Sequence, residues 1–331
     1  MNFAEIIGQE DAKNLLKNAI KTGTISHAYI FSGEEGSGKM MLAEAFATML
    51  LCEEPGDDAC GQCHSCKQSI SHNNPDIIYV KRDEDKKAIG VDVVREQINN
   101  DIVLKPYSGK YKVYIVDEAE KMNPQAQNAL LKTIEEPPAY AILLLLTSNH
   151  NSLLQTILSR CITVQMKTIP TEQIVKLLMQ KYQIVDYQAQ VAASFAQGNI
   201  GKAIDLAGSE AFNQLKYDML NVVRKAENMD EYELSEQVKL LASYKSNTDQ
   251  MLDLMTLWYR DVLLYKATQA ESRLLFQENI YDIKEQAEQS TYEGIDKIFE
   301  TIEETRRRLQ ANVNYELSIE LLLQALKENT R

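Results

Sequence analysis

The chain has 331 residues, 44% hydrophobic and 25% charged, with a formal net charge of −13. That length predicts two or three domains with ample buried core, and the acidic balance excludes a protein that grips nucleic acid alone through a broad basic face. The longest purely apolar run, Ala141–Leu146, is far too short to span a bilayer, and Glu5, Glu10 and Asp11 stand where a secretory signal would be basic and then apolar, so the expectation is a cytoplasmic chain with no membrane contact.

Apolar residues at Ile6, Ile7, Leu15, Leu16, Ala19 and Ile20 predict a helix within residues 2–21 after a short entry segment. A strand follows at about Ala28–Ser32. Then comes the stretch Ser32-Gly33-Glu34-Glu35-Gly36-Ser37-Gly38-Lys39-Met40, which opens a helical pattern running to Leu51. Strand, glycine loop and helix in that order are the context a phosphate-binding loop requires, and the spacing Gly33-x4-Gly38-Lys39 fits one. Gly36 and Gly38 lack a Cβ, so backbone N–H groups can turn inward around an anion, and the helix N-terminus behind them adds about half a positive charge. Gly33, Gly36, Ser37, Gly38 and Lys39 are therefore candidate contacts for ATP or ADP, with Lys39 reaching the outer phosphates. A working hydrolase places Ser or Thr next, to hold Mg²⁺. Here that residue is Met40, which cannot hold a hard cation. The competing reading is a glycine-rich turn that binds nothing.

Four of the five cysteines, Cys52, Cys60, Cys63 and Cys66, fall within fifteen residues. Four soft thiolates at that spacing, with Pro55-Gly56 and Gly61 to make the turns, suit a closed tetrahedral Zn²⁺ site, the alternatives being free thiols or an iron–sulfur cluster, for which no redox partner motif is in view. No catalytic base accompanies them, so the site is expected to be structural. His64 is expected to be exposed and Cys161 buried. A strand at 76–80 precedes a charge run at 81–87, read as a solvated loop, and residues 91–102 have helical spacing. Residues 112–118 read as an apolar strand ending in Asp117-Glu118. In a nucleotide hydrolase the first such carboxylate contacts the metal region and the second orients the attacking water.

A helix over Gln125–Glu135 is stopped by Pro137-Pro138. The strand at 141–146 is apolar on both faces, as at the centre of a parallel sheet, and leads to Asn149. Asn149 suits either holding the same water or the γ-phosphate, or simply turning the chain. A short helix at 153–158 comes before Ser159-Arg160-Cys161 and a last strand at 162–166. Alternation of strands and helices over 1–167 means an α/β layer. Beyond Pro170 only helices are predicted: 171–182, 187–197, 203–207 after a turn at Gly198-Asn199, 214–227, 231–243, 248–268, 294–311 and 315–328. Arg160 has two readings. As a cation at a helix end it contributes about 0.3–1 kcal/mol. As an arginine finger offered to another molecule's nucleotide it is worth roughly 10³–10⁵ in rate.

Ile6-Ile7-Gly8-Gln9, Ser26-His27-Ala28-Tyr29-Ile30-Phe31-Ser32-Gly33, the four-cysteine insertion, Val116-Asp117-Glu118-Ala119-Glu120, Ser159-Arg160-Cys161, Gly198-Asn199-Ile200-Gly201-Lys202-Ala203 and Asn312-Val313-Asn314-Tyr315-Glu316-Leu317 together resemble a bacterial clamp-loader AAA+ subunit. The resemblance covers essentially the whole chain. It implies an AAA+ α/β domain with five parallel strands over 1–167, carrying a four-cysteine zinc insertion at 52–66, then a helical lid over 168–208 and an all-α collar over 209–331 that joins a five-membered ring. Two branches compete. The motor branch, gamma/tau, hydrolyses ATP, carries Thr or Ser where Met40 stands, and carries a phosphate-sensing arginine where Gly201 stands. Losing both, while keeping Ser159-Arg160-Cys161, resembles the delta prime branch of the DNA polymerase III holoenzyme. That branch implies little or no ATPase activity of its own and an Arg160 that serves a neighbouring gamma/tau site. Its partners would be gamma/tau and delta subunits in a heteropentamer, the sliding clamp, and primer–template DNA through the assembly. Asp117-Glu118, which is intact, would suit the motor branch. A zinc-stapled adaptor that uses no nucleotide is the remaining alternative.

Overall fold

The computed structural model describes residues 2–82 and 88–329. Most of the charge run at 81–87 lies outside the described residues. Strands β1 (Ala28–Ser32), β2 (Ile77–Val80), β3 (Lys112–Val116), β4 (Ala141–Thr147) and β5 (Ile162–Gln165) form one sheet in the order β2-β3-β4-β1-β5. Every pairing is parallel. This is the five-stranded α/β domain expected. Because β1 lies between β4 and β5, the chain leaves β1 for the far edge and works back. The carboxyl ends of β3, β4 and β1 thereby sit side by side, and open α/β sheets bind ligands in that region.

Parallel sheets need helices on both faces. One face packs Tyr29, Phe31, Ile115, Leu144 and Leu146 against α1 (Glu10–Thr22), α2 (Lys39–Leu51) and α3 (His64–Ile70). The other packs Ile30, Tyr114, Val116, Leu143 and Leu145 against α4 (Val91–Val94), α5 (Pro124–Glu135) and α6 (Gln155–Leu158). Helix α2 is buried without a break from Leu42 to Leu51, as an all-round apolar helix must be. All seven residues of β4 are buried.

Three local differences from the sequence reading have physical causes. The helix follows an entry segment as read, but that segment runs to Gln9: a 3-10 turn at Phe3–Glu5 passes through extended backbone at Ile6 to left-handed backbone at Gly8 and Gln9 (φ 65° and 58°), and α1 starts at Glu10. The segment at 91–102 passes from α4 into a π-turn at Arg95–Asn99, whose end is pinned to α5 by Asn99 bonding Ala129 and Thr133. Helix α3 has no apolar stripe to announce it; it starts at Cys63, whose sulfur accepts the Cys66 N–H.

The described residues form two compact units, those within 2–174 with 197–202 and those within 175–196 with 203–329. Helices α7 (Thr171–Tyr182), α8 (Asp186–Ala196), α9 (Ile200–Gly208), α10 (Glu210–Lys225), α11 (Glu231–Ala242), α12 (Thr248–Thr268), α13 (Ile280–Gln289), α14 (Tyr292–Gln310) and α15 (Tyr315–Asn329) complete the fold. Of these, α13 is absent from the sequence reading. In the second unit α12 is central, packed on by α10, α13 and α14, with Trp258 and Tyr259 fully buried. The Trp258 Nε1–H donates to Gln286 Oε1 at 2.7 Å, and Gln286 Nε2 donates to the Val223 carbonyl at 2.7 Å, so one carboxamide ties α12, α13 and α10 together.

Asp76, 1% exposed, supports the first unit in a similar way. Its carboxylate accepts the backbone N–H groups of Tyr107 (2.6 Å), Ser108 (3.0 Å) and Gly109 (2.8 Å), which fixes the loop entering β3. Asp76→Ala strands three donors in the interior and is expected to destabilise the chain by about 3–5 kcal/mol, with Asp76→Asn losing roughly half as much. Chemical denaturation of the three proteins measures both, and equal stability of Ala and wild type would refute it.

Candidate functional site

The glycine loop leaves β1 with Gly33 N–H bonded to Thr147 O at 3.1 Å. A Cβ on Gly33 would meet Met166 at 2.6 Å, so the loop starts where only glycine fits. Gly36 and Gly38 have φ of 78° and 90°, and Gly38 caps α2. The loop backbone thus takes the expected form. Its lysine is folded inward. Lys39 Nζ donates to the carbonyls of Gly33 (2.7 Å) and Glu34 (2.8 Å). Burial pushes the Lys39 pKa below the usual lysine range, against the opposing pull of Glu120, Asp117, Glu35 and Glu34. The Ser37 hydroxyl is buried without a partner among the described residues.

A second segment of the same unit closes on the loop. Asn199 Nδ2 donates to Glu35 O at 2.6 Å and Gly201 N–H to Gly36 O at 2.9 Å. A Cβ on Gly201 would lie 2.6 Å from Gly36 Cα, and one on Gly36 would lie 2.6 Å from Asn199 Oδ1. Two backbones are in direct contact here, so position 201 has no room for a side chain unless the segments part.

At the end of β3, Asp117 Oδ1 accepts the Glu118 N–H at 2.9 Å. Glu118 has left-handed backbone (φ 49°), and its carboxylate pairs with Lys121 (2.5 Å) and Arg82 (3.1 Å). The Lys121 hydrogen bond leads in holding the Glu118 pKa below the usual carboxylate range. Glu120 is an acid to which the sequence reading assigns no role. One of its oxygens meets Ser148 Oγ at 2.5 Å and the other is buried without a partner among the described residues. Burial pushes its pKa up, and bonds from Ser148, Thr147 and backbone N–H outweigh that, so it is held low. Its charge is the largest of those acting on Lys39. The only sequence signal for it is its place two residues after Glu118.

Asn149 is exposed and its Oδ1 accepts the Asn151 N–H at 3.2 Å, a turn-forming bond. Arg160 is exposed too. Its guanidinium donates to Thr156 O in α6 (3.0 Å) and pairs with Glu135 at the end of α5 (3.1 Å). The structure therefore brings Lys39, Asp117 and Glu120 within electrostatic reach of one another, while Glu118, Asn149 and Arg160 each have local partners.

The four thiols converge. Cys52, Cys60, Cys63 and Cys66 place their sulfurs all within 4.8 Å of one another, a group able to hold one metal ion. Backbone N–H groups point at three of those sulfurs: Cys60 N to Cys52 Sγ (3.3 Å), Cys63 N to Cys60 Sγ (3.3 Å) and Cys66 N to Cys63 Sγ (3.4 Å). Such donors stabilise thiolate charge. The N–H groups of Gln62 and Cys63 bring the Cys60 pKa down to about 6, while burial pushes Cys52 and Cys66 up. His64 is exposed, as expected. Cys161 is half-buried rather than fully buried, and burial pushes its thiol up to about 12.

A family model described as "DNA polymerase III, delta subunit" matches residues 8–170, and one described as "DNA polymerase III, delta subunit, C terminal" matches residues 213–328. DNA polymerase III subunit delta' of Bacillus subtilis is 28% identical over 97% of this chain and 96% of its own length. The chain belongs to the clamp-loader delta prime family of DNA polymerase III. Subunit tau of Bacillus subtilis is 29% identical over 96% of this chain but only 60% of that protein. The tau/gamma subunit of Haemophilus influenzae is 36% identical over 62% of this chain and 30% of that protein. Among solved structures, a gamma subunit-related protein from Thermotoga maritima is similar at 22% identity over 97% of this chain and 100% of that one, with a TM-score of 0.47.

For a delta prime family chain, the thiol cluster is the part of the site whose chemistry is most fully specified. The donor set is all sulfur, the sulfurs already converge, and backbone N–H groups already face three of them. One Zn²⁺ per chain is expected to survive purification. Its removal should loosen 52–66 and leave the sheet folded, because β4 and both its faces are buried by other residues. Metal analysis with thiol titration tests this; far less than one zinc with four freely reactive thiols is the contrary outcome.

Proposed function

We propose that this chain is a delta prime subunit with little or no ATPase activity of its own. It works in a heteropentamer with gamma/tau and delta subunits that loads the sliding clamp onto primed DNA in the cytoplasm. Three functional parts suit that role: an AAA+ α/β domain over 1–167 with a structural zinc insertion, a lid over 168–208, and a collar over 209–331 that holds the ring. The observation that carries the reading is the contact between Gly36 and Gly201. A phosphate-sensing arginine cannot stand at 201 while that contact exists, and Met40 offers no ligand to Mg²⁺. Two cations that stabilise the transition state of phosphoryl transfer are thus missing from this chain's own loop.

Weak nucleotide binding at Gly33, Gly36, Ser37, Gly38 and Lys39 is compatible with the reading, provided Lys39 leaves its two carbonyls. When bound, the nucleotide would supply phosphate oxygens for Lys39 and Ser37 Oγ. Asp117 and Asn149 stand at the ends of the neighbouring strands, and Glu118 is held away by Lys121 and Arg82. The intact Asp117-Glu118 and the long match to tau favour the motor reading instead. ATP turnover separates the two: the isolated chain should show none, and Met40→Thr should not restore it because Gly201 still blocks the sensing position. Steady metal-dependent turnover by the isolated chain would establish the motor reading.

Arg160 would complete the ATP site of an adjacent gamma/tau subunit. It must first leave Glu135, an exposed pair worth only about 0.2–1 kcal/mol. Arg160→Ala is therefore expected to fold and assemble normally yet lower the partner's DNA-stimulated turnover and clamp loading. Arg160→Lys should recover little, since an ammonium lacks the planar fork. Normal loading by an assembled Ala variant would make Arg160 a helix-end cation only.

A further inference from the structure

The second unit contains a cavity of about 400 Å³ between α8, α10 and the turn at 276–279, a volume within the range of small-molecule sites. Lys216 of α10 lines it and is 8% exposed. Among the described residues its ammonium has no ion-pair carboxylate and no hydrogen-bond acceptor; it lies over the Tyr187 ring, 4.8 Å from the centroid. The ammonium itself is not among the fully enclosed polar atoms, so it opens on the cavity, where an anion can reach it. Burial pushes its pKa below the usual lysine range, with Glu278 opposing. Glu278 is exposed at the rim, and the other lining cation, Arg224, is already paired with Asp282 at 2.9 Å. Lys216 is thus the lining cation without an anionic partner among the described residues.

The walls suit a flat apolar body. Tyr187, Tyr217 and Phe276 line the cavity, and Phe276 is fixed from behind. The fully buried Asp261 accepts the N–H groups of Leu275 (2.6 Å) and Phe276 (2.8 Å), and the Trp258 ring stands 5.8 Å from that of Phe276. A preformed aromatic wall beside a cation that opens on the same cavity lowers the ordering cost of binding a ring-bearing anion.

We propose that this cavity is a binding site for small molecules that join one anionic group to a planar ring, the anion meeting Lys216 and the ring meeting the aromatic walls. Nothing in the glycine loop is needed for it. The test uses the full-length chain with four probes: adenosine monophosphate and indole-3-acetate, which have both halves, and inorganic phosphate and adenosine, which have one each. Calorimetry gives affinity, and adenosine monophosphate is also followed by the fluorescence of Trp258, the chain's single tryptophan. At least one ring-bearing anion should bind at least tenfold more tightly than both half-probes and shift the Trp258 emission where it is measured. Lys216→Met should abolish that binding with its helical content unchanged, Tyr217→Ala, at a 63% exposed position, should weaken it several-fold, and Lys39→Ala should leave it intact. Binding no tighter than that of the half-probes, or equal binding by Lys216→Met or Tyr217→Ala, overturns the proposal. Loss in Lys39→Ala instead assigns the binding to the glycine loop and overturns it as well.

Discussion

A parallel sheet has no solvent face to spare, and the first unit is arranged around that constraint. Every residue of β1, β3 and β4 is buried, so helices must cover both faces and each strand must be re-entered from the same end. The crossovers this forces bring the loops after β1, β3 and β4 to one edge. The glycine loop, Asp117-Glu118-Ala119-Glu120 and Ser148-Asn149 are neighbours for that reason, although more than a hundred residues separate the first from the last.

Beyond the Met40 departure in its motif, the loop is shaped by contacts. Lys39 is engaged by its own loop, and the 199–201 segment lies backbone against backbone on Gly36. Glycine at 201 has a steric meaning of its own. Any Cβ there would collide with Gly36 Cα.

The thiol cluster shows local chemistry acting on a smaller scale. No apolar pattern predicts α3, yet the cysteine spacing requires a tight turn, and the N–H groups of that turn serve the sulfurs. In the second unit, buried polar side chains take the organising role: Gln286 joins three helices and Asp261 fixes the backbone beside Phe276.

Much of this is legible in the sequence because it is local. Strand and helix periodicity places β1, α2, α7 and α12 within their observed bounds, and the spacing of the four cysteines anticipates their convergence. The loop glycines are readable because positive φ is a property of single residues. Side-chain allegiance is not. Glu118 and Glu120 have the same chemistry two residues apart, and only the left-handed turn at Glu118 decides that one faces Lys121 and Arg82 while the other acts on Lys39. The Gly36–Gly201 contact and the isolation of Lys216 depend on segments far apart in the chain. Periodicity fixes which face of an element is apolar; only the assembled tertiary structure decides which polar groups meet across it, because those distances are set by packing and not by spacing along the backbone.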